Sequence, residues 1–280
     1  MKISILLPYK ENFSPDYPGA VSLFVYETSK KSVFKKKITV FGSTNLKKKF
    51  PIKYTNIYLS SNLLSSQTNN YVNKFINIEK NIKSSIIEIH NRPSYIKIIS
   101  LKLKKRIVSL YFHNDPLSMD GSKSINDRKY LLKVCYKIIF NSNWSKKRFL
   151  EGLENKFVNS NKLTVFYQSA NKGSPLLINK KEKWITFVGK LNRAKGYDIF
   201  SKAIVKILNK NPDWKAKIIG DEKREKINLI HKNADILGFQ KHEDVIKIFK
   251  KTSIAVACSR WEEPFGRTSL EASANGCAVI

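Results

Sequence analysis

The sequence predicts an α/β protein built from two doubly wound parallel sheets. Strand-like and helix-like segments alternate almost throughout the 280 residues, which is the pattern that a parallel sheet requires. The alternation pauses in residues 168–183, where Gly173, Pro175 and a charge run follow one another, and it then restarts. The length and a hydrophobic content of 42% suit two domains. We therefore expect domains at residues 1–170 and 184–280, with a linker at 171–183.

Seven strands are expected in the first domain. Short apolar runs predict them at Lys2–Leu7, Ile38–Phe41, Tyr54–Tyr58, Ser85–Ile89, Arg106–Tyr111, Tyr136–Asn141 and Leu163–Tyr167. Helical stretches lie between them at Ala20–Lys31, Asn69–Asn81 and Ser94–Leu103. A further helix is expected to begin at Asn143, as its N-cap.

The second domain repeats the alternation. Strands are expected at Trp184–Gly189, Trp214–Gly220, Ile236–Gly238 and Ile254–Ala257, and helices at Tyr197–Asn209, Lys223–Lys232 and His242–Lys250. A glycine-containing loop then leads into a last helix, and Cys277–Ile280 predicts one more strand. His231 and His242 are expected to be surface residues of their helices.

Composition excludes several classes of protein. No apolar run approaches the roughly 20 residues that a membrane span needs. The apolar stretch at the N-terminus is too short for a signal peptide, because Pro8 ends it. Three cysteines with no paired spacing, Cys135, Cys258 and Cys277, indicate a reducing, cytoplasmic setting and no metal cluster.

The formal net charge of +30 is extreme and unevenly distributed. Residues 1–180 carry a net charge of +22 and residues 181–280 carry +8. Abundant lysine, asparagine and isoleucine are typical of AT-rich coding DNA, so one interpretation is purely compositional. A basic first domain also suits an anionic membrane surface or an anionic acceptor. Nucleic acid is not an expected partner, because no nucleic-acid-binding motif is present.

The string Glu263-Pro264-Phe265-Gly266-Arg267-Thr268-Ser269-Leu270-Glu271 is the most informative stretch. It follows an apolar strand and leads into a helix, whose N-terminus presents free backbone N–H groups and a positive dipole end. Such an end suits a phosphate group. Glu263 would lie in the loop and Glu271 about two turns further on, so both can face one ligand.

A second cationic segment runs from Phe187 to Gly196. A strand ends at Gly189, and Lys190, Arg193 and Lys195 follow within six positions. Open α/β sheets bind ligands at the carboxyl ends of their strands, where cations can neutralise a diphosphate. A solvated basic turn is the alternative interpretation, and the segment alone does not separate the two.

Three weaker signals follow strands of the first domain. Pro18-Gly19-Ala20 opens a helix after the first strand, where glycine lets the backbone approach an anion. His113 follows the fifth strand, in Tyr111–Asp115. His90 and Asn91 follow the fourth strand, in Glu88–Pro93, and are candidates to line an acceptor pocket.

These motifs resemble those of the family 4 retaining nucleotide-sugar glycosyltransferases, which have the GT-B fold. The spacing from Glu263 to Glu271 is similar to the E-x7-E motif of that family, and residues 189–196 are similar to its G-[RK]-L-x-x-x-K-G stretch. The resemblance covers nearly the whole chain in motif order, and residues 184–280 closely. Lys190 departs from the more frequent arginine, which keeps the charge but loses the bidentate fork.

The resemblance implies two Rossmann-like domains facing across a cleft, with the second domain incomplete, since relatives continue beyond a strand such as Cys277–Ile280. We expect a C-terminally truncated chain whose activity as a 280-residue fragment is doubtful. The implied catalytic residues are His113, Glu263, Lys190 and Lys195. The implied donor-binding residues are Gly19, Lys190, Arg193, Lys195, Phe265, Gly266, Arg267 and Glu271, with Glu271 on the ribose and Glu263 on the donor sugar.

The implied reaction transfers a sugar from a nucleoside-diphosphate sugar to a hydroxyl of a lipid-linked or cell-surface glycan, as in lipopolysaccharide biosynthesis. The implied location is the cytoplasm, at the inner membrane face. No cofactor or metal is expected, because basic side chains and a helix dipole take that role and no metal-ligand pattern is present. One alternative is another GT-B class, a phosphorylase or an epimerase, although no pyridoxal-phosphate lysine motif is seen. The other is an inactive module that binds glycans or membranes.

Overall fold

The computed structural model describes residues 1–59, 66–171, 176–177, 180–222 and 224–280. The chain divides into two compact units, Met1–Tyr167 and Gln168–Ile280. Each unit contains a parallel sheet with helices, which confirms the predicted α/β class. Gly173 and Pro175, on which the predicted linker depends, lie outside the described residues. The last two residues of that linker already belong to the first strand of the second unit.

Seven parallel strands form the sheet of the first unit, in the order β3-β2-β1-β4-β5-β6-β7. They are β1 (Ile3–Leu6), β2 (Ile38–Gly42), β3 (Tyr54–Asn56), β4 (Ile86–His90), β5 (Ile107–Phe112), β6 (Lys137–Phe140) and β7 (Leu163–Val165). The helices of this unit are α1 (Ala20–Lys31), α2 (Gln67–Ile82), α3 (Ser94–Lys102), α4 (Ile125–Val134) and α5 (Asn143–Leu150).

This sheet is buried on both faces because successive side chains of a strand point to opposite sides. In β1, Leu6 packs into one core with Phe75 of α2. Its neighbour Ile5 packs into the opposite core with Phe24 of α1. Continuous apolar runs, rather than alternating ones, therefore predicted these strands well.

Five parallel strands form the sheet of the second unit, in the order β10-β9-β8-β11-β12. They are β8 (Glu182–Val188), β9 (Lys215–Ile219), β10 (Ala234–Ile236), β11 (Thr252–Val256) and β12 (Ala278–Val279). Three helices cover the sheet: α6 (Tyr197–Lys210), α7 (His242–Lys251) and α8 (Arg267–Ala274). All strands of a parallel sheet end at the same edge, and this edge is where such folds bind ligands.

A single lysine ties the ends of several elements of the second unit together. The Lys181 ammonium, with three N–H donors, lies within hydrogen-bonding distance of four carbonyl oxygens at 2.7–3.4 Å, those of Phe249, Lys250, Thr252 and Asn275. These carbonyls lie at the C-terminal ends of α7 and α8, which lack intrahelical donors and attract cations. Burial lowers the pKa of the Lys181 ammonium. Residue 181 therefore stabilises the unit rather than serving as free linker.

The helix predicted at Lys223–Lys232 is wrong. Residue 223 lies outside the described residues, and residues 224–232 contain no helix. Ile227 and Leu229 both pack against the core, whereas Ile230 is 88% exposed. Apolar contacts two residues apart belong to an extended segment, because a helical face repeats every three to four residues. The strand expected at Ile236–Gly238 is also shifted, to Ala234–Ile236.

Two helix starts differ from the sequence prediction. The helix α4 was not predicted, although Ser124 and Asp127 form a capping box at its N-terminus. The N-cap of α5 is Ser142, whose hydroxyl accepts a hydrogen bond from the backbone N–H of Ser145 at 3.1 Å. Asn143 is instead the first helical residue.

Within the described ranges, no helix is both long enough and apolar enough to cross a membrane.

Candidate active site

The second unit has a small pocket at the carboxyl ends of β8 and β11. Its volume is about 60 Å³, and Gly189, Lys195, Ser259 and Glu263 contribute to its walls. The first turn of α8 also lines it, through Thr268 and Ser269. The two segments that the sequence singled out therefore meet at one place. A volume of this order suits a group of phosphate size.

The N-terminus of α8 is built to attract an anion. Gly266 precedes the helix with φ of +77°, a left-handed conformation that glycine adopts without strain. Among the described residues, no side chain caps this end. The first backbone N–H groups of a helix lack intrahelical partners and carry the positive end of its dipole. This end of α8 is therefore a favourable position for a phosphate.

Lys195 and Glu263 form an ion pair in the wall of the pocket. The Nζ–Oε1 distance is 2.6 Å, and about a quarter of each side chain is exposed. The Ser259 hydroxyl donates to the same carboxylate oxygen. The Lys195 ammonium also lies 5.1 Å from the centre of the Trp261 ring, a cation–π contact. Burial raises the pKa of Glu263, but the bonds from Lys195 and Ser259 outweigh it and lower that pKa overall.

Asn192 fixes the turn that carries Lys195. Its side-chain oxygen accepts a hydrogen bond from the backbone N–H of Lys195 at 3.0 Å. Its amide nitrogen donates to Glu222, which follows β9, at 3.2 Å. Asn192 is 8% exposed, so both contacts are largely shielded from water. The position of the lysine thus depends on a residue that the sequence analysis did not single out.

Glu271 is held by two basic side chains. It is only 7% exposed and accepts hydrogen bonds from His242 Nε2 at 2.9 Å and from Arg267 Nε at 2.7 Å. Burial raises the pKa of the carboxyl, but the His242 bond and the Arg267 charge outweigh it and lower the pKa overall. His242 is therefore a half-buried partner of Glu271 and not the surface residue that was predicted. His231 lies in a loop and contacts Asn209.

Three other predicted donor-binding residues lie in the same two segments of the chain. Lys190 is exposed, directly after Gly189 at the end of β8. Arg193 is also exposed, and its backbone N–H donates to Glu225 at 3.0 Å. Phe265 is half-buried in the loop before α8. Lys190 and Arg193 therefore lie on the chain next to the pocket, with their side chains in contact with water.

Two glycines allow β8 and β9 to end in close contact. Gly220 has φ of +136°, and a β-carbon there would overlap the carbonyl oxygen of Gly189. The backbone N–H of Gly189 in turn donates to Ile219 at 3.0 Å. The contact between the ends of β8 and β9, next to the pocket residue Gly189, is consequently made by backbone atoms.

In the first unit, the expected phosphate-binding turn already holds a carboxylate. Glu11 Oε1 accepts a hydrogen bond from the backbone N–H of Ser22, in the first turn of α1, at 2.9 Å. A β-carbon on Gly19 would collide with this carboxylate. Burial raises the pKa of Glu11. The glycine permits close approach, as predicted, but the group that approaches in this structure is Glu11.

His113 belongs to a cluster with two other polar side chains. His113 Nε2 lies 2.8 Å from His90 Nδ1, and His90 Nε2 lies 2.5 Å from Glu88 Oε1. His90 is fully buried and His113 is 7% exposed. The two histidines come together because β4 and β5 are neighbours in register, with His90 opposite Tyr111.

The burial of His90 and Asn91 does not fit the acceptor-facing role expected for them. Asn91 is 4% exposed and has a left-handed backbone, with φ of +55°. Its side-chain oxygen accepts hydrogen bonds from the backbone N–H groups of His113 and Asn114, both at 3.2 Å. Asn91 thus ties the end of β4 to the end of β5, and His90 supports His113.

A larger polar pocket of about 570 Å³ lies at the carboxyl ends of β1, β2 and β3. Its walls are rich in amides and hydroxyls, with one lysine. The side chains that define this character are Lys10, Asn12, Thr44, Asn45, Asn56 and Tyr58. Groups of this kind suit a neutral ligand with many hydroxyls.

Comparison with solved structures defines the class of fold. The Anabaena protein HepE, crystallised with UDP and glucose, superposes with a TM-score of 0.72 at 17% sequence identity. The superposition covers 100% of this chain and 80% of HepE. The chain therefore has the GT-B fold that the motifs predicted. Residues 169–280, which make up nearly all of the second unit, match the family described as Glycosyl transferases group 1.

Two relatives match parts of the chain. The spore coat protein SA of Bacillus subtilis (strain 168) is 29% identical over 112 residues, covering 35% of this chain and 30% of that protein. The lipopolysaccharide core biosynthesis mannosyltransferase LpsB of Rhizobium meliloti (strain 1021) is 27% identical over 113 residues, covering 37% and 32%. The matched segment thus spans about a third of each relative.

Proposed function

We propose that this chain acts as a retaining glycosyltransferase that uses a nucleoside-diphosphate sugar. The observation that carries the proposal is the convergence of Lys195, Glu263 and the N-terminus of α8 on one pocket. A cation and a helix N-terminus together bind the diphosphate and stabilise it as it departs. A carboxylate at the same place accepts hydrogen bonds from the hydroxyls of the donor sugar.

The ion pair between Lys195 and Glu263 suits an exchange of partners. A diphosphate that enters the pocket competes with Glu263 for the ammonium, and charge-assisted bonds to phosphate are strong. The carboxylate released in this way is ready for the sugar. Each group thereby keeps a partner of opposite charge or polarity before and after binding, which limits the cost of desolvation.

The reaction breaks the bond between C1 of the sugar and the diphosphate oxygen, and the diphosphate keeps the electron pair. A new bond forms between C1 and the acceptor oxygen on the same face of the sugar. The acceptor proton passes to an oxygen of the departing phosphate. Lys195, with Lys190 and Arg193 beside it, stabilises the developing negative charge.

Glu271 binds the ribose of the donor in this proposal. His242 and Arg267 both donate to Oε1, which fixes the direction in which the carboxylate accepts further bonds.

Uridine is the first base to test, because HepE was crystallised with UDP. The polar pocket beside β1–β3 replaces His90 and Asn91 as the candidate acceptor site. Lipopolysaccharide-type glycans are the first acceptors to test, because LpsB is named as a mannosyltransferase of lipopolysaccharide core biosynthesis.

A turnover assay tests the proposal. The full chain is incubated with UDP-glucose and other UDP-sugars in buffer containing EDTA, with a lipid-linked glycan as acceptor, and UDP release is measured. We expect metal-independent release, loss of release in Lys195→Met, and a product with the anomeric configuration of the donor by NMR. An inverted product contradicts the retaining mechanism, and an EDTA-sensitive reaction contradicts metal independence.

The second candidate function is a module that binds an anionic membrane surface without turnover. The net charge of +22 in residues 1–180 favours it. Sedimentation with vesicles of anionic and of neutral lipids measures this binding. The module is supported if wild type and Lys195→Met bind vesicles equally and neither of them binds UDP. UDP binding that depends on Lys195 supports the transferase, which can still work at the inner membrane face.

A further inference from the structure

A neutral ligand would satisfy the hydroxyls of the polar pocket at β1–β3, but not the direction in which its amides point. Asn56 Oδ1 accepts hydrogen bonds from the backbone N–H of Thr44 and from the Tyr54 hydroxyl, both at 3.0 Å. A backbone N–H only donates, so the oxygen of this amide must face Thr44. The amide nitrogen of Asn56 makes no hydrogen bond within the described residues. Since Asn56 lines the pocket, its N–H groups are available to a ligand.

Asn12 is oriented by the same network. Its Oδ1 accepts a hydrogen bond from the Thr44 hydroxyl at 2.8 Å, and that hydroxyl accepts one from the backbone N–H of Leu46 at 3.3 Å. Thr44 is 5% exposed, so the network is largely shielded from water. The nitrogen of Asn12 has no hydrogen-bond partner in the part of the chain that the structure describes. Two amides whose oxygens are occupied therefore present donors to one pocket.

Lys10 adds a positive charge to these donors. It lines the polar pocket, and its ammonium lies 5.4 Å from the centre of the Tyr9 ring. Its backbone is left-handed, with φ of +68°, which is unfavourable for a residue with a β-carbon. Strain of this kind is held by the surrounding structure and is frequent at ligand sites. The neighbouring carboxylate, Glu11, accepts instead from the backbone N–H of Ser22.

The polar pocket thus contains three side chains that act as donors. None of the described residues that line it is acidic, while the hydroxyls of Ser43 and Tyr58 can donate or accept. A fitting ligand must supply acceptor atoms, and a carboxylate or phosphate supplies several together with a negative charge. We propose that the polar pocket binds a sugar carrying one such anionic group, with Lys10, Asn12 and Asn56 as its donors. The proposal rests on the proposed function in taking this sugar as the acceptor.

The size and the aromatic wall of the polar pocket indicate a sugar rather than a free anion. Its volume of about 570 Å³ is that of a site for a small organic molecule, whereas the pocket beside α8 has about 60 Å³. Tyr58 in its wall is 76% exposed, so its ring can pack against the C–H face of a sugar. A phosphate ion alone would leave most of this volume and the tyrosine ring in contact with water.

Titration of the full chain with three probes tests the charge preference. The probes are methyl glucoside, methyl glucoside 6-phosphate and methyl glucuronide, and binding is followed by NMR. We expect at least one anionic probe to bind about tenfold more tightly than the neutral one, because a charge-assisted bond adds to the hydroxyl contacts. The tighter of the two anionic probes identifies the group as phosphate or carboxylate. Equal affinity for all three probes overturns the proposal.

Asn56→Asp is the most direct substitution. The new carboxylate keeps an acceptor for the Thr44 N–H and the Tyr54 hydroxyl, but it replaces the amide donors with a negative oxygen. We expect this variant and Lys10→Met to bind the anionic probes no more tightly than the neutral one. Lys53→Met, exposed before β3 and outside the pocket walls, is the control for loss of one positive charge. Thermal unfolding checks that each variant is folded, and an unchanged preference in folded Asn56→Asp and Lys10→Met overturns the proposal.

Lys195→Met separates the polar pocket from the pocket beside α8, which also suits a phosphate. The preference for an anionic probe should persist in Lys195→Met and disappear in Lys10→Met. The reverse result places the probe in the second unit and overturns the proposal.

Turnover provides a second readout. With an anionic acceptor, Lys10→Met should raise the KM for the acceptor about tenfold and leave the KM for the donor nearly unchanged. An unchanged KM for the acceptor contradicts the acceptor role of the pocket. The titrations require no turnover, so a chain that binds anionic sugars through Lys10 but transfers none refutes the proposed function and leaves this binding site intact.

Discussion

The Nζ atom of Lys195 lies 2.6 Å from Oε1 of Glu263, although 68 positions separate the two residues in the sequence. The contact joins the turn after β8 to the loop before α8. These are the two segments that the sequence marked independently as candidate phosphate-binding elements. The parallel arrangement of β8 and β11 brings them to the same edge of the sheet.

Substitution of Lys195 should weaken nucleotide binding. Lys195→Met removes the ammonium from the pocket, so we expect the Kd for UDP to rise at least about tenfold, equivalent to about 1.4 kcal/mol. Isothermal titration calorimetry gives the measurement. Lys202→Met, on the exposed face of α6, is the control for loss of one positive charge. Equal losses in both variants would mean that overall charge, and not this contact, governs binding.

The ribose contact of Glu271 is testable by changing protein and ligand together. We expect Glu271→Gln to weaken binding of UDP about tenfold or more, because the carboxylate accepts from the ribose hydroxyls. The same substitution should change binding of 2′,3′-dideoxy-UDP much less, since that ligand lacks both hydroxyls. A double-mutant cycle over the four Kd values isolates the contact. If Glu271→Gln weakens the binding of both ligands equally, Glu271 does not contact the ribose hydroxyls and acts only through packing within the site.

Acid should destabilise the second unit through Glu271. The pKa of this carboxyl in the folded chain is lowered from 4.5. A group with a lowered folded pKa stabilises the fold above its unfolded pKa, and this contribution is lost as the pH falls through the folded value. The free energy of unfolding from urea titrations should therefore decrease below about pH 4.5. This decrease should be shallower in Glu271→Gln. The control variant Glu243→Gln, at an exposed position in α7, should follow the wild type.

Lys181 should be important for stability despite its position before the first strand of its unit. Lys181→Met leaves the carbonyl oxygens of Phe249, Thr252 and Asn275 without this donor, at a cost of about 2–4 kcal/mol. Urea denaturation measures the loss. Lys183→Met serves as control, because that exposed lysine forms its ion pair with Asp213 at the surface, where such pairs contribute little. Similar midpoints for the two variants would show that the carbonyls are satisfied by water.

Most of the strand positions could be predicted from the sequence, because buried parallel strands are continuous apolar runs. The structure of residues 224–232 could not be predicted in the same way. Its apolar residues Ile227 and Leu229 pack against the core two positions apart, but the segment forms no β-ladder. Propensity favoured a helix there, and tertiary packing overrode it. The capping box at Ser124 was a readable signal that the prediction left unused.

The site was predictable as a set of segments but not as a set of contacts. Lys195, Glu263 and Glu271 stand in recognisable strings, and the fold brings Lys195 and Glu263 together. Asn192 and His242 stand in strings with no such signature, and their roles arise from side chains that meet only after folding. The pairing of His90 with His113 depends likewise on strand register, which a single sequence does not specify.

The contact between Gly189 and Gly220 limits how the proposed donor site can be redesigned. Any side chain at residue 220 would displace the carbonyl oxygen of Gly189, so neither evolution nor a mutant library can vary this contact through side-chain chemistry. Variation must enter through neighbours such as Lys190 and Glu222, which lie one or two positions away and reach the same edge. A library for altered donor preference would therefore randomise these flanking positions and leave both glycines unchanged.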